Sequence, residues 1–67
     1  MKVNISYPNK EKKYFEGSMT LSELLAELGL DFNSVLVMRN RRSLLNDPDF
    51  LLEAEDLIEI LPPLSGG

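Results

Sequence analysis

Apolar and polar residues alternate at the start of the chain in the pattern typical of a β-strand. Val3, Ile5 and Tyr7 are separated by single polar residues, which is the period of a half-buried strand. Turn-forming residues follow at 8–11, and a second short strand is predicted at 12–16. The chain is therefore predicted to open with a β-hairpin.

The residues after this hairpin predict one amphipathic helix. Thr20 is a good N-cap and Glu23 stands three residues later, so the two can form a capping box. Gly29 supplies the C-terminal stop. The helix places its leucines on one face, which we predict to be core: Leu21, Leu24, Leu25 and Leu28.

The second half of the chain predicts three further strands. The run 35–38 is apolar without a period, so the sequence leaves open which of its side chains point inward. Asn40-Arg41 is a plausible tight turn into a short return strand. Phe50, Leu51 and Leu52 are expected to fill the bottom of the core.

The last predicted strand, 57–61, has two different faces. Ile58 and Ile60 are expected to face the core. Leu57 and Leu61 then lie beside Glu59 on the other face, and we interpret these two leucines as candidate partner-binding residues. Isolated exposed leucines are common in proteins, so this interpretation depends on the surrounding surface.

The order of these elements predicts an α+β roll in which one helix lies across a small sheet. Pro62 and Pro63 cannot donate ladder hydrogen bonds, so the last strand must end there. We therefore predict a domain at 1–61 and an extended tail at 62–67. Six extended residues span about 20 Å, which is enough to enter the active site of another protein.

Composition excludes several classes of function. The chain has 67 residues and contains neither Cys nor His, so a thiolate nucleophile, the usual zinc sites and the common catalytic triads are absent. An internal active site is also unexpected in so small a core. We predict a protein that is not an enzyme by itself.

Charge and hydropathy give further expectations about partners and location. The net charge of −4 argues against binding nucleic acid through its phosphates. Two small basic groups, at 10–13 and 39–42, are interpreted as solvated strand edges, with docking of an acidic partner as the alternative. No signal peptide or apolar run long enough to span a membrane is seen, so the protein is expected to be cytoplasmic.

The chain ends in Gly66-Gly67, whose only chemical groups are backbone amides and the α-carboxylate. Glycine lacks Cβ, so another protein's backbone can approach it closely. A slender end of this kind suits a narrow active site in which the carboxylate is the reactant. Chain ends are often simply disordered, which is the alternative interpretation.

At this point the chain resembles the ubiquitin-like sulfur carriers of the ThiS/MoaD family. The resemblance is strongest over 52–67, which is similar to the family pattern Leu-x-x-Gly-Asp-x-Val-x-Ile-x-Pro-Pro-x-x-Gly-Gly. It implies a ubiquitin-like β-grasp fold with a mixed sheet of four to five strands. The family usually has Gly at the positions of Arg41 and Glu55, so both turns are expected to be strained, by about 1 kcal/mol each.

The resemblance also implies the chemistry of the C-terminus. An adenylating enzyme of the ubiquitin-activating type would bind the body and adenylate the Gly67 carboxylate with its own ATP and magnesium. A sulfur donor would then leave Gly67 as a thiocarboxylate. No cofactor would be bound by the carrier itself. Besides Leu57 and Leu61, the residues expected to contact the partner are Pro63, Leu64, Ser65 and Gly66.

The sulfur acceptor is not fixed by the sequence. The Pro-Pro-x-Ser-Gly-Gly end is more similar to molybdopterin synthase small subunits, which favours the molybdopterin synthase large subunit as a partner. The short 29–35 link is nearer to thiamine carriers, whose partner is thiazole synthase. We favour molybdopterin biosynthesis or general sulfur carriage, with thiamine biosynthesis and thiolation of tRNA as the other pathways. Conjugation of Gly67 to lysines and a non-covalent interaction module are the alternatives outside sulfur transfer.

Overall fold

The computed structural model describes residues 1–64 and contains one α-helix and seven strands. Helix α1 covers Leu21–Leu28, and a short 3-10 helix covers Phe32–Ser34. The strands are β1 Lys2–Ile5, β2 Glu11–Tyr14, β3 Met19–Thr20, β4 Leu36–Arg39, β5 Ser43–Leu44, β6 Leu51–Leu52 and β7 Leu57–Leu61.

Five of the strands form one mixed sheet in the order β2-β1-β7-β4-β5. The two central strands, β1 and β7, run parallel, with Ile5 opposite Ile60. The other neighbours in this sheet are antiparallel. Because the first and last strands are paired at the centre, the chain adopts the β-grasp arrangement that the resemblance implied.

The predicted helix is confirmed together with both of its ends. The Thr20 side chain accepts from the Glu23 backbone N–H at 3.1 Å, and the Thr20 N–H donates to the Glu23 carboxylate at 2.8 Å. This is the capping box. Gly29 has φ 70°, a left-handed conformation that glycine adopts without steric cost and that ends the helix.

The core lies between the helix and the inner face of the sheet. The predicted inward residues Ile58 and Ile60 are fully buried. In β4, Val37 is buried while Leu36 and Met38 are partly exposed, which resolves the inward face of the apolar run. The remaining core side chains are Met1, Val3, Ile5, Leu21, Leu24, Leu25, Val35 and Leu52.

Two predictions of side-chain placement are wrong. Tyr7 lies beyond the end of β1 and is exposed, because the strand stops at Ile5 before the turn. Leu51 is 52% exposed, whereas Leu52 is fully buried. These two leucines form β6, which pairs with β3 in a separate two-stranded sheet, and the strand alternation turns Leu51 outward.

The two expected strained turns behave differently. Asn40 and Arg41 both have positive φ, at 53° and 57°, so the turn between β4 and β5 has the predicted left-handed backbone. Glu55 does not have positive φ, and the expectation of strain there is wrong. The turn before β7 is instead closed by a hydrogen bond from the Asp56 N–H to the Glu53 carbonyl.

Among the described residues, no helix is long and apolar enough to cross a membrane.

Candidate functional site

The tail leaves the body at the end of β7. The strand stops at Leu61, as predicted, and Pro62, Pro63 and Leu64 follow outside any regular element. All three are exposed, and Leu64 is 80% exposed. The predicted partner-binding residues Pro63 and Leu64 are therefore accessible.

Ser6 fixes the position at which the tail leaves the body. Its backbone N–H donates to the Ile60 carbonyl at 2.9 Å, and its hydroxyl donates to the same oxygen at 3.0 Å. The two bonds occupy one of the last carbonyls of β7. They hold the strand against the end of β1 immediately before the prolines begin.

The remaining predicted tail residues, Ser65, Gly66 and Gly67, lie outside the described part of the chain. The role of the Gly67 carboxylate, and of Ser65 and Gly66 in partner binding, therefore stays a prediction.

The other two predicted partner-binding residues lie on the outer face of the sheet. Leu57 and Leu61 are half-buried and alternate with the buried isoleucines of β7. Leu61 stands opposite Leu36, and Glu59 stands opposite Met38. The structure thus brings both predicted leucines into one surface with the outward side chains of β4.

Sequence reasoning missed part of this outer face. Leu36 and Met38 were not singled out because the run to which they belong is apolar at every position. Leu44 pairs with Met38 on β5 and is 53% exposed. The register of β4 against β7, with Val37 opposite Ile60, decides this placement, and the sequence of β4 alone carries no signal for it.

A polar cluster fixes the start of β7, and it centres on the buried carboxylate of Asp56. That carboxylate accepts from Arg39 Nε at 2.8 Å, from Asn40 Nδ2 at 3.1 Å and from the Glu53 N–H at 2.9 Å. Asn40 also accepts from the Leu57 N–H at 2.8 Å through its side-chain oxygen. The cluster joins the β4–β5 turn to β7.

The hydrogen bonds of this cluster control the ionisation of Asp56. Burial is the largest single influence and opposes the charged form. The bonds from Arg39, Glu53 and Asn40 together outweigh it, so the pKa of Asp56 lies below its ordinary value. The carboxylate is therefore charged at neutral pH. Arg39 also lies over the ring of Phe50, 5.2 Å from its centroid.

Within residues 1–64, no group of three or more acidic side chains is placed to hold a metal ion. The described body offers a partner an accessible tail root, Pro62 to Leu64, and an outer sheet face with apolar side chains.

Comparison with known proteins gives one family and two informative relatives. The ThiS family model matches residues 5–67, which includes the terminal glycines. The sulfur carrier protein TtuB of Thermus thermophilus is 31% identical over all 67 residues, and the match covers the whole of both chains.

A solved structure is similar over the full length of both chains, with a TM-score of 0.66 and 22% identity. It is the crystal structure of the thiamine biosynthesis protein ThiS from Geobacter metallireducens. This likeness supports the β-grasp fold. On the family match and the relative that aligns end to end, the chain belongs to the ThiS family.

Proposed function

We propose that this chain is a sulfur carrier whose Gly67 carboxylate is the reacting group. The observation that carries the proposal is the family match, which continues through the β7 exit to the terminal Gly66-Gly67. The similar protein TtuB is itself a sulfur carrier protein.

The first step of the proposed chemistry activates a poor acyl donor. A Gly67 carboxylate oxygen attacks the α-phosphorus of ATP, and pyrophosphate leaves. The product is an acyl-adenylate, whose leaving group is AMP. Magnesium and the groups that stabilise the phosphates belong to the adenylating partner, so this chain is a co-substrate and not the catalyst.

The second step places sulfur on the C-terminus. A sulfur nucleophile attacks the Gly67 carbonyl carbon and displaces AMP. With hydrosulfide as the donor, the products are the thiocarboxylate and AMP. This sulfur then attacks an electrophilic carbon of the acceptor, by addition or by displacement of a leaving group, and forms a thioester with the Gly67 acyl group. Water cleaves the bond between the Gly67 carbonyl carbon and sulfur, which leaves the sulfur on the acceptor as a thiol and returns the carboxylate, so Gly67 is consumed and regenerated.

The described geometry suits this role because the regular structure ends at Leu61 and the residues that follow are exposed as far as Leu64. Leu61 is the last residue of β7, and the exposed Pro62-Pro63 pair stiffens the chain beyond it. A partner can therefore bind the tail without opening the core. We propose that the outer face of the sheet, with Leu57 and Leu61, binds the body of that partner.

An exchange assay tests the activation step. The adenylating enzyme from the same cells is incubated with ATP, labelled pyrophosphate and the carrier, and label entering ATP is measured. The full chain should support exchange, whereas a chain ending at Ser65 should give none. Equal exchange with both chains would contradict the proposal.

We propose that thiazole synthase is the enzyme that uses the sulfur, because the ThiS family model matches and the 29–35 link is short. The molybdopterin synthase large subunit is the second candidate, on the Pro-Pro-x-Ser-Gly-Gly end. Thiocarboxylated carrier is offered to each enzyme with its substrates, and loss of sulfur from Gly67 is followed. Transfer to the molybdopterin enzyme alone would reverse this choice, and transfer to neither would direct the search to tRNA thiolation.

Two other uses of the terminus are distinguishable from sulfur transfer. Conjugation would leave diglycine remnants on lysines of other proteins. A purely non-covalent interaction module would keep its affinity for its partner after Gly66-Gly67 is deleted. The carrier proposal predicts the loss of all transfer activity in that deletion.

A further inference from the structure

A groove runs along the exposed side of the β1–β2 hairpin, next to the tail root. Its volume is about 420 Å³. Because β1 is parallel to β7, the end of the hairpin where β2 begins lies beside the end of β7. Ser6, which binds the Ile60 carbonyl, is one of the lining residues. The groove is lined by Asn4, Ile5, Ser6, Lys10, Glu11 and Lys12.

The basic residues at 39–42 and those at 10–13 differ in which of them lie next to an acidic side chain of the same molecule. In the arginine group, Arg39 binds the buried Asp56, and Arg41 lies 3.8 Å from Glu59. In the lysine group, Lys13 lies 3.9 Å from Glu11. These three cations have acidic neighbours of their own.

Lys10 and Lys12 form no ion pair within residues 1–64, and both line the groove. Glu11 also lines it, but its carboxylate lies next to Lys13. The groove thus carries two ammonium groups without an ion pair within residues 1–64, in a chain whose net charge is −4. A local excess of positive charge on an acidic protein favours encounter with an acidic partner.

A third lining residue carries an unused hydrogen-bond acceptor. The side-chain oxygen of Asn4 is buried and has no hydrogen-bond partner within the described chain. Such a group is costly in the free protein, and a donor supplied by a partner would recover that cost. Asn4 stands opposite Lys12 in the β1–β2 register, so a peptide that pairs with Lys12 would lie next to Asn4.

We propose that this groove binds an extended, acidic peptide segment of a protein partner. Carboxylates of the segment pair with Lys10 and Lys12, and a backbone N–H donates to the Asn4 side chain. Because the groove lies beside the tail root, we assign the segment to the protein that binds the tail. Only this assignment rests on the proposed function.

A peptide fits this site better than a nucleic acid does. The groove carries two ammonium groups and one carboxylate, whereas tight binding of nucleic acid needs several phosphates to be neutralised. Much of the groove wall is aliphatic, which suits the side chains of an extended peptide that carries its charges at intervals.

An NMR titration tests the proposal with the full ¹⁵N-labelled chain. The probe is the peptide acetyl-Gly-Glu-Val-Asp-Val-Gly-amide, added to millimolar concentration at low salt. We expect shifts concentrated at the backbone amides around Lys10 and Lys12 and at the Asn4 side-chain amide. The double variant Lys10→Gln/Lys12→Gln should bind about tenfold more weakly, at about threefold per lysine.

A charge-matched control separates the groove from general attraction. The double variant Lys2→Gln/Arg42→Gln removes two positive charges from positions outside the groove and should change affinity by less than about twofold. The variant Asn4→Leu should bind the peptide more weakly and yet unfold at a higher temperature, since the unpaired acceptor is gone. A purely structural role of Asn4 would not give this combination.

Several results would overturn the proposal. These are no shift in the groove at millimolar peptide, an equal loss of affinity in the charge-matched control, or shifts of the same amides by inorganic phosphate at equal affinity. Stronger binding of oligothymidylate to the same amides would reassign the groove to nucleic acid. Deleting Gly66-Gly67 should leave peptide binding intact, so failure of the carrier chemistry and failure of the groove are separately visible.

Discussion

The two ends of β7 are built in opposite ways. At its start, the buried carboxylate of Asp56 binds Arg39, Asn40 and the backbone of Glu53. At its finish, β7 is held through the Ile60 carbonyl, and exposed residues follow directly after Leu61. One strand therefore joins a buried polar cluster to an accessible tail.

The start of β7 contributes to stability, and its finish leads to the residues proposed to react. The five residues of β7 span about 16 Å at 3.3 Å per residue, so a change at one end has little direct effect on the other. Substitutions at the start should alter the free energy of unfolding. Changes in the tail should alter transfer activity and leave the fold unaffected.

The largest expected effect is from deletion of Gly66-Gly67. All adenylation and sulfur transfer should disappear because the reacting carboxylate is displaced and the slender end is lost. The free energy of unfolding, measured by urea denaturation, should stay within about 0.5 kcal/mol of the wild-type value. A large loss of stability would show that the tail is part of the folded body. It would contradict the claim that the start of β7 contributes to stability and the tail only to transfer.

The substitution Asp56→Asn tests the opposite end. It leaves the Arg39 guanidinium without its charged partner and weakens the bonds from Asn40 and Glu53, so we expect a loss of about 2–3 kcal/mol in urea denaturation. The exposed Asp49→Asn is the matched control and should change stability by less than about 0.5 kcal/mol. The folded Asp56→Asn variant should still be adenylated. Equal losses in the two variants would contradict the assigned role of the cluster.

The pH dependence of the free energy of unfolding tests the role of the Asp56 carboxylate at the start of β7. The pKa of Asp56 in the folded protein lies below its ordinary value of 3.8. Its stabilisation is therefore complete above that ordinary value and is lost as the pH falls through the folded pKa, because the unfolded chain then binds more protons. Unfolding followed from pH 6 to pH 2 should show a steeper acid loss in wild type than in Asp56→Asn. Parallel curves would exclude this carboxylate as the source.

Glu23 adds an effect of the same sign and remains in both proteins. Its pKa is lowered chiefly by the hydrogen bond from the Thr20 backbone N–H. The difference between the two curves therefore isolates Asp56.

The substitution Thr20→Ala removes the side chain that caps the helix. We expect a loss of about 1 kcal/mol, because the Glu23 N–H loses its acceptor. Ser22→Ala, at an exposed position of the same helical turn, should be neutral or slightly stabilising. Both variants should transfer sulfur normally. A specific loss of transfer in folded Thr20→Ala would show that this residue acts beyond the cap.

The smallest expected effects come from two glycine substitutions of opposite sign. Arg41→Gly should stabilise the protein by about 0.5–1 kcal/mol, since Arg41 has positive φ. Glu55→Gly should destabilise it by a similar amount, because Glu55 has no positive φ and glycine costs more backbone entropy on folding. Thermal unfolding of the pair checks both signs. Stabilisation by Glu55→Gly would show that this turn is strained after all.

The features predicted correctly from the sequence are those set by local chemistry. Thr20 and Glu23 form the predicted capping box because their spacing alone brings them together. The alternation around Ile58 and Ile60 identified the buried face of β7, and Asn40-Arg41 identified a left-handed turn. In each case the deciding residues are neighbours in the chain.

The errors came from interactions between distant parts of the chain. Leu51 was expected in the core, but its pairing with Thr20 in a second sheet turns it to solvent. Tyr7 continues the alternating pattern of β1, but the pairing of β1 with β2 and β7 ends at Ile5. The outward placement of Leu36 and Met38 depended in the same way on the register with β7, which the pattern of a single strand does not contain.

The most direct test of the sulfur-carrier proposal is an intact-mass measurement. The carrier is isolated from its own cells in the absence of thiols and is then treated with its adenylating enzyme, ATP and hydrosulfide. We expect a species heavier by the exchange of one oxygen for sulfur, localised to Gly67 by fragmentation and absent from the chain that ends at Ser65. An unchanged mass after complete ATP-dependent treatment, or sulfur found at any other residue, would contradict it.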